Sequence, residues 1–377
     1  MNSKKNILVC IDWYLPGYKA GGPIRSCANL VGFLCKDYNF KIVTTNVDYN
    51  DTEPYKTVKA NEWLLLEPNV QAYYFSKDKL TTTNVRALLK KTDYDILYVN
   101  GIFSFYFTIL PLFFSNKVKI VAVRGMLAQS ALKIKKVKKI GFIYLAKLLG
   151  VFKDVVFHAT SKEEVVDTRN FFSNPIKYAP NLPRFNTDSS TIPNTIKEQG
   201  KLRIINVARV SPEKNLLFAL SILREIKGEV VFHIYGPIND NAYWQRCQSE
   251  IDRMPANVKV EKFDAVESSQ IHSLVAKYDL FFMPTLGENF GHVILESLTA
   301  GVPVLVSDKT PWNNLSDYNC GWHYSLNSPN DFISKIESLV SLNSTEYNMF
   351  RENATKFISL NSNTEQSVLL YRQMFDC

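Results

Sequence analysis

A stretch near residue 290 constrains the fold of this chain more than any other. Residues 279–283, with the sequence DLFFM, form an apolar run of strand length that Pro284 interrupts. After Gly291 the apolar side chains recur at helical spacing, until Gly301 ends the helix. Residues 302–306 then have the composition of another buried strand. Strand, tight loop, helix and strand in this order form the repeating unit of a parallel α/β sheet.

The loop of this unit carries groups that suit a ligand. A helix start at Phe290–Gly291 offers unpaired backbone N–H groups and a partial positive charge to an anion. Glu288 stands at the carboxyl end of the strand, where open α/β sheets bind ligands. Glu296, eight residues further on, lies inside the helix and can meet hydroxyl groups behind the reacting end of the ligand. From the spacing alone, two surface glutamates around a helix start are an equal alternative.

The same stretch resembles the E-x7-E signature of the retaining glycosyltransferases of family four. The resemblance rests on E-N-F-G at 288–291, on Glu296 and on A-G-V-P-V at 300–304. The continuation S-D-K-T-P-W at 307–312 resembles a bacterial surface-polysaccharide branch of that family. The resemblance implies that Glu288 lies at the donor sugar and that Glu296 binds the ribose of a sugar nucleotide. It also implies a donor site that includes Asn289, Phe290 and Gly291.

A second stretch with chemical groups follows the apolar run at 202–207. Arg209 and Lys214 flank a turn that contains a proline, and a helix is expected to begin near Asn215. Two cations beside a helix start suit a diphosphate, and each charge-assisted contact contributes about 1.5–3 kcal/mol. The matching family motif, R-x-S-x-E-K-G, implies that both bind the donor diphosphate. Asn215 replaces the usual glycine, which a residue that tolerates left-handed backbone can do. Two solvated surface cations are the alternative.

Glycines mark two further loops. Gly21 and Gly22 separate a first strand at 7–11 from a helix at 25–34, and a glycine pair there lets backbone amides reach a ligand. Taken alone, such a pair is more often only a turn. The resemblance implies that this loop lies over the donor phosphates and near the acceptor. Gly236 follows the strand at 231–235 and is expected to form a wall of the nucleotide pocket.

Two loops of the first half resemble the paired acceptor loops of the family. Asn100 follows the strand at 96–99 and Arg124 follows the strand at 119–123, at positions where many members have histidine. Arg124 could therefore offer a fixed cation to a phosphate or a sugar hydroxyl. A structural salt bridge is an equally weighted alternative. His158 lies within a strand and is expected to be a core residue.

Composition and spacing limit the cofactors and partners. The only D-x-D motif, at 93–95, precedes a strand, opposite to the end at which α/β sheets bind ligands, so no metal is expected. The six cysteines lack metal-binding spacing and are expected to be reduced. A net charge of +8 indicates anionic partners, but no nucleic-acid recognition motif occurs. The longest apolar run, 103–114, is too short for a membrane span, so a cytoplasmic protein is expected.

A lysine-rich segment suggests contact with the inner face of the plasma membrane. One side of a helix would present apolar residues and most of the lysines would lie opposite. We predict a peripheral patch that touches anionic lipid near a lipid-linked acceptor, the alternative being a helix with an ordinary solvated face. The lysines are Lys133, Lys135, Lys136, Lys138 and Lys139, and the apolar side comprises Ile134, Val137, Ile140, Tyr144 and Leu148.

The alternation of strands and helices predicts an α/β protein, and the resemblance implies the GT-B fold, with two Rossmann-like doubly wound domains and an interdomain cleft. The predicted parts are a first domain at 1–183, a polar linker at 184–200, a second domain at 201–358 and a C-terminal segment at 359–377. The resemblance implies that the first domain binds the acceptor, that the second binds the donor and that the last helix crosses back onto the first domain.

The resemblance implies a retaining hexosyltransferase without cofactor or metal. Its donor would be a UDP- or GDP-linked sugar and its acceptor a glycan or lipid-linked glycan of a surface polysaccharide such as O-antigen, lipopolysaccharide or capsule. Another GT-B activity, such as an NDP-sugar epimerase or a phosphorylase, and a non-catalytic sugar-nucleotide-binding subunit are the rival functions.

Overall fold

The computed structural model describes residues 4–133, 136–184, 196–361 and 363–376. Internal contacts divide the chain into a first unit, Met1–Asn186 with Thr364–Cys377, and a second unit, Thr187–Asn363. Most of the predicted linker lies outside the described residues, as do Ile134, Lys135 and Cys377. The predicted domain limits therefore stay a prediction.

The first unit is built on an eight-stranded sheet. Its strand order is β3-β4-β2-β1-β5-β6-β7-β8, and all neighbouring strands are parallel except the antiparallel pair β3 and β4. The strands are β1 (Asn6–Cys10), β2 (Asn39–Thr45), β3 (Trp63–Glu67), β4 (Val70–Phe75), β5 (Ile96–Asn100), β6 (Val118–Ala122), β7 (Val155–Ala159) and β8 (Ile176–Tyr178). The helices between them are α1 (Gly22–Leu34), α2 (Thr82–Lys91), α3 (Leu110–Phe114) after a π-helical turn at Phe105–Ile109, α4 (Gln129–Lys133), α5 (Lys136–Leu148) and α6 (Lys162–Arg169).

The apolar strands of the first unit are buried on both faces. In β1, Ile7 and Val9 pack into one hydrophobic cluster, while Leu8 and Cys10 pack into the cluster on the opposite face. Side chains that alternate between two buried faces explain why β1 is a continuous apolar run and not an alternating one. The predicted cap of α6 is also confirmed, because the Ser161 hydroxyl accepts the N–H of Glu164 at 3.1 Å.

The second unit repeats this architecture with six parallel strands in the order β11-β10-β9-β12-β13-β14. The strands are β9 (Lys201–Val207), β10 (Glu229–Tyr235), β11 (Val258–Phe263), β12 (Leu280–Met283), β13 (Val304–Ser307) and β14 (Gly321–Tyr324). The helices are α7 (Leu216–Arg224), α8 (Asn241–Ile251), α9 (Ser268–Val275), α10 (His292–Thr299), α11 (Pro329–Ser341) and α12 (Ser344–Asn361), with 3-10 turns at Pro212–Lys214 and Leu315–Tyr318. Hydrophobic clusters again cover both faces of the sheet.

The last helix, α13 (Thr364–Phe375), packs into the first unit. Its side chains Tyr371 and Phe375 are fully buried in the same cluster as β1. Polar contacts hold its end: Arg372 Nε lies 2.9 Å from Asp37 Oδ2, and the Lys5 ammonium donates to the Phe375 carbonyl at 3.0 Å. The first unit is therefore completed by residues that follow the second unit in sequence. Among the described helices, none has the length and apolarity needed to cross a membrane.

We expect Phe375→Ala to destabilise the first unit by about 3–5 kcal/mol, because the substitution leaves a cavity in a closed core. Leu369→Ala on the same helix is the matched control, since Leu369 is 49% exposed and its truncation is expected to change stability by less than about 0.5 kcal/mol. Thermal and urea unfolding would measure both. Equal midpoints for the two variants would show that α13 is not part of the core.

Candidate functional site

Two loops that are far apart in sequence meet at the carboxyl edge of the second sheet. Strands β9 and β12 are parallel neighbours, so the turn at 209–215 and the loop at 284–291 leave the sheet side by side. The Thr285 hydroxyl and the Leu286 N–H both donate to the Glu213 carbonyl, at 2.9 and 2.8 Å. The Asn215 amide donates to the Pro284 carbonyl at 3.0 Å. The two stretches singled out by the sequence are thus joined into one site.

An ion pair connects the two loops. Lys214 Nζ lies 2.8 Å from Glu288 Oε2, and the two side chains are only 15% and 18% exposed. The other carboxylate oxygen, Oε1, accepts the Asn289 N–H at 3.1 Å. Burial raises the pKa of Glu288, but the Lys214 charge and the hydrogen bonds from Lys214, Phe290 and Asn289 outweigh it, so the pKa lies below its ordinary value. Glu288 is therefore held as a carboxylate.

Left-handed backbone at two positions shapes the helix starts beside this pair. Asn215, with φ 57° and ψ 41°, turns the chain from the 3-10 turn into α7, as expected of a residue in place of glycine. Gly291, with φ 79°, precedes α10. A Cβ atom at Gly291 would lie 2.7 Å from Ile294 Cδ1 and 3.2 Å from Glu288 Cγ. The glycine is therefore needed both for its conformation and for its closeness to Glu288.

The start of α10 differs slightly from the predicted one. The helix begins at His292, after Gly291, and not at Phe290–Gly291. The Phe290 carbonyl instead accepts the indole N–H of Trp312 at 2.6 Å, which fixes the loop to the segment after β13. Glu296 lies within α10 as predicted and is buried, with 7% of its surface exposed.

Gly236 supports the backbone at Arg209. It follows β10 with φ 144°, and a Cβ atom there would collide with the carbonyl oxygen of Ala208. The chain beyond β9 continues to pair with the chain beyond β10, since the Val210 N–H donates to the Pro237 carbonyl at 2.9 Å. Gly236 thus allows the half-buried Arg209 and its loop to pass closely over the end of β10.

In the first unit a buried aspartate holds the loop that contains Gly21 and Gly22. Asp48 Oδ2 accepts the N–H groups of Tyr18 and Lys19, at 2.8 and 3.2 Å. Gly21 has φ 75° and caps α1. Asp48 was not predicted from the sequence, although its place just beyond the end of β2 was a usable signal, because loops at that edge carry function.

Arg124 and Asn100 lie together in a network of neutral groups. The Arg124 guanidinium donates to Asn100 Oδ1 at 2.9 Å, to Asn181 Oδ1 at 2.8 Å and to the Tyr98 hydroxyl at 3.0 Å. No carboxylate of the described chain lies within ion-pair distance of Arg124, so the predicted alternative of a structural salt bridge is wrong. Its bonds instead join the end of β5 to the loops after β6 and β8.

His158 is a core residue, as predicted. It is fully buried, with Nδ1 2.8 Å from the Tyr98 hydroxyl and Nε2 2.8 Å from the Ala179 carbonyl. Burial, with the nearby Arg124 charge, lowers the pKa of His158 to about 3, so the ring is neutral at physiological pH. His158 supports the Arg124 network through Tyr98 and is not positioned to act as an acid or base.

The D-x-D motif lies at the amino edge of the first sheet. Asp95 Oδ2 accepts the backbone N–H of Asn6 and Asp93 Oδ2 accepts the Asn6 side-chain amide, both at 2.8 Å. These carboxylates thus fasten the start of β1 to the start of β5. Within the described ranges, no group of three or more His, Cys, Asp or Glu residues could hold a metal ion.

Residues 189–357 match the model of the family described as glycosyl transferases group 1. The matched residues make up most of the second unit. A curated relative, the sulfoquinovosyl transferase of Arabidopsis thaliana, is 26% identical over 165 residues, which are 42% of this chain and 30% of that protein. The chain therefore matches less than a third of the length of this relative.

Solved structures resemble the whole chain. Sucrose-phosphate synthase from Thermosynechococcus elongatus has a TM-score of 0.71 at 14% identity and covers 99% of this chain and 100% of its own. HepE of Anabaena, in complex with UDP and glucose, has a TM-score of 0.73 at 15% identity and 99% coverage of both chains. WaaG, a glycosyltransferase involved in lipopolysaccharide biosynthesis, has a TM-score of 0.68 at 14% identity and covers 96% and 98%. These likenesses show the fold alone, and the predicted GT-B class with two Rossmann-like units is confirmed.

The Lys214–Glu288 ion pair should make the stability of the fold depend on pH. The folded pKa of Glu288 lies below the ordinary glutamate value of about 4.3 that applies to the unfolded chain. The pair therefore contributes its full stability above about pH 4.3 and loses it as pH falls through the folded pKa. We expect Glu288→Gln to lower the urea midpoint at pH 7, and the difference from wild type to shrink as the pH falls toward 3.

Glu198→Gln is the matched control for this experiment. Glu198 pairs with Lys201 at 3.1 Å, but both side chains are more than half exposed, so the pair is expected to contribute less than about 1 kcal/mol. A pH-independent difference between wild type and Glu288→Gln would contradict a stabilising Lys214–Glu288 pair.

Proposed function

We propose that the chain is a retaining glycosyltransferase that moves a hexose from a UDP- or GDP-linked donor to a hydroxyl of a glycan or lipid-linked glycan. The observation that carries the proposal is the Lys214–Glu288 pair, which lies beside Gly291 and the start of α10 in a unit that mostly matches the model of the group 1 glycosyl transferases. A cation, a carboxylate and a helix start at one point suit a charged sugar diphosphate, which carries both hydroxyls and phosphate oxygens.

Each group of the site has an assigned role in this proposal. Lys214, Arg209 and the N-terminus of α10 stabilise the diphosphate as it leaves with increased negative charge. Glu288 accepts hydrogen bonds from hydroxyls of the donor sugar, and Glu296 binds the ribose. Asn289, Phe290 and Gly291 shape the backbone around the sugar, and Gly21 and Gly22 lie over the phosphates. The departing phosphate oxygen takes the acceptor proton on the face that it leaves, which retains the anomeric configuration, and no metal takes part.

The geometry of the ion pair supports this assignment. Because Lys214 Nζ and Glu288 Oε2 are 2.8 Å apart, a phosphate oxygen on Lys214 and a sugar hydroxyl on Glu288 would come from the two sides of the bond that breaks. Two similar structures support this type of donor, since HepE was solved in complex with UDP and glucose and also with UDP-glucose. WaaG, involved in lipopolysaccharide biosynthesis, supports a surface-polysaccharide acceptor.

Helix α5 supports a peripheral membrane role on the inner face of the plasma membrane. Its core side consists of Ile143 and Ala146, whereas Val137, Tyr144 and Leu148 of the predicted apolar side are 86%, 63% and 84% exposed. Exposed lysines flank this apolar strip at Lys136, Lys138 and Lys147. Ile134 and Lys135 lie outside the described residues. Apolar side chains in water beside lysines fit the surface of an anionic bilayer, which the acceptor would share.

The first test separates the two glutamates by calorimetry and kinetics. Titration of UDP and GDP should show that Glu296→Gln binds the matching nucleotide more weakly than wild type, because the ribose contact is present without the sugar. Glu288→Gln should bind that nucleotide nearly as well as wild type. In turnover assays that contain EDTA, Glu296→Gln should mainly raise the donor KM and Glu288→Gln should mainly lower kcat.

Several outcomes would contradict this proposal. If Glu288→Gln loses nucleotide affinity and Glu296→Gln keeps it, the two carboxylates are assigned wrongly. Activity that EDTA abolishes and manganese restores would exclude the metal-free mechanism. Inversion at the anomeric carbon of the product, seen by NMR, would exclude retention, and conversion of the donor sugar without an acceptor would indicate an epimerase.

The second test concerns the membrane. Wild type should sediment with vesicles that contain anionic phosphatidylglycerol and remain in solution with neutral phosphatidylcholine vesicles. A triple variant that combines Lys136→Gln, Lys138→Gln and Lys147→Gln should sediment with these vesicles much less than wild type. Each lysine near such a surface contributes about 1 kcal/mol to membrane binding.

The control is a triple variant with the same loss of charge at a different place. It combines Lys90→Gln, Lys91→Gln and Lys117→Gln, all at exposed lysines. Equal sedimentation of wild type and both triple variants would rule out a lipid-binding patch on α5.

A further inference from the structure

We infer that Trp312 is a positioning residue of the donor site, and that its indole N–H directs the backbone N–H of Gly291 toward the donor diphosphate. The inference rests on the proposed function for the identity of the ligand. Trp312 lies in the segment after β13, and its indole N–H donates to the Phe290 carbonyl at 2.6 Å. Trp312 thus acts through the backbone of the loop that carries Glu288, and no role for its side chain was predicted from the sequence.

The hydrogen bond from Trp312 fixes one particular peptide group. The carbonyl of Phe290 and the N–H of Gly291 belong to the same group, and this peptide is trans, so the two point in opposite directions. With its carbonyl held by the indole, the peptide must direct its N–H away from Trp312. A hydrogen bond at the carbonyl also polarises the N–H of the same group and makes it a stronger donor.

The Gly291 N–H is the donor that the loop leaves for a ligand. The Glu288 carboxylate accepts the N–H of Asn289 at 3.1 Å and also that of Phe290, and both bonds lower its pKa. Where the structure describes the chain, the next N–H, that of Gly291, donates to no protein group. Because an N–H at the start of a helix suits a phosphate oxygen, the direction of this one group matters for a diphosphate.

The bond from Trp312 is the last of three contacts that join this loop to the segment after β13. The Ser307 hydroxyl donates to the Thr285 carbonyl at 2.5 Å, and the Glu288 N–H donates to the Lys309 carbonyl at 3.0 Å. These two contacts hold the loop as far as Glu288. The indole extends the hold to the peptide that immediately precedes α10.

The Trp312 ring is itself anchored in the core of the second unit. It packs against Phe357 of α12, with 6.4 Å between the ring centroids, and Phe357 is only 3% exposed. The Phe290 ring lies 6.1 Å from the indole and also contacts His292. A donor whose ring is locked by packing can fix the conformation of a loop and does not merely follow it.

The test observes this peptide directly by NMR. The dipeptide Phe-Gly occurs once in the sequence, at 290–291, so deuterated protein labelled with carbonyl-13C phenylalanine and 15N glycine gives a single HNCO cross-peak. Its carbonyl shift reports the bond from Trp312, and its amide shift reports a ligand at Gly291. Trp312→Phe should change the carbonyl shift. Replacement of Trp312 by 3-benzothienylalanine, whose sulfur takes the place of the indole N–H in a ring of nearly equal size, should do the same.

Titration with UDP and GDP adds the functional readout. The matching nucleotide should change the amide shift of the wild-type cross-peak. Both Trp312 variants should bind that nucleotide about tenfold more weakly, because one hydrogen bond to the diphosphate is misdirected. Trp322→Phe is the matched control, since Trp322 is 6% exposed in the same unit and packs against Phe350. This variant should keep both the cross-peak and the affinity.

The outcomes separate the inference from the proposed function. Equal nucleotide affinity in wild type and the benzothienyl variant, or an unchanged carbonyl shift in that variant, would overturn the inference and leave the proposed function standing. An amide shift that bound nucleotide does not change would also overturn it, since Gly291 would then not meet the ligand. If wild type binds neither nucleotide, the proposed function fails and the inference fails with it.

Discussion

The site of the second unit depends on the contact between Lys214 and Glu288. The two residues are 74 positions apart in sequence, and only the parallel pairing of β9 with β12 places their loops side by side. Removal of one partner from a mostly buried ion pair typically costs about 3–5 kcal/mol, because it leaves the other charge without compensation. The hydrogen bonds to the Glu213 carbonyl, which hold the two loops together, therefore also stabilise the charged pair.

Backbone conformation limits which residues could occupy this site. Asn215 and Gly291 both have left-handed φ, and each stands immediately before a helix that leaves the carboxyl edge of the sheet. A side chain at Gly291 would press on Glu288, and one at Gly236 would press on the backbone beside Arg209. The small residues thus let charged groups lie close to the chain, which explains why the motifs combine glycine with Glu, Lys and Arg.

Much of this arrangement could be predicted because it is encoded locally. Apolar runs of strand length predicted the central strands, and Asn215 and Ser161 act at the helix starts that their residue types favour. The strands β3, β8 and β14 were not predicted. β8 and β14 have only three and four residues, and β3 has an apolar run but is mostly exposed, so it contributes little to the core.

The features that the sequence did not predict depend on tertiary contacts. No sequence pattern could assign the three partners of Arg124. The same applies to α5, which has apolar residues on two sides, because only packing selects Ile143 and Ala146 as its core contacts.

The ion pair also restricts which ligands the proposed donor site can accept. Lys214 and Glu288 satisfy each other, and Asn289 already donates to the second carboxylate oxygen. A ligand that separates the pair must therefore supply an anion to the lysine and a donor to the carboxylate at the same time, or leave a buried charge unpaired. A nucleoside diphosphate without its sugar offers only the anion, and a free sugar offers only the hydroxyl. A nucleotide sugar offers both, on the two sides of the bond to be broken, so under the proposed function only the complete donor can separate the pair. A nucleotide alone can bind while Lys214 keeps its bond to Glu288, because an ammonium group has three donors.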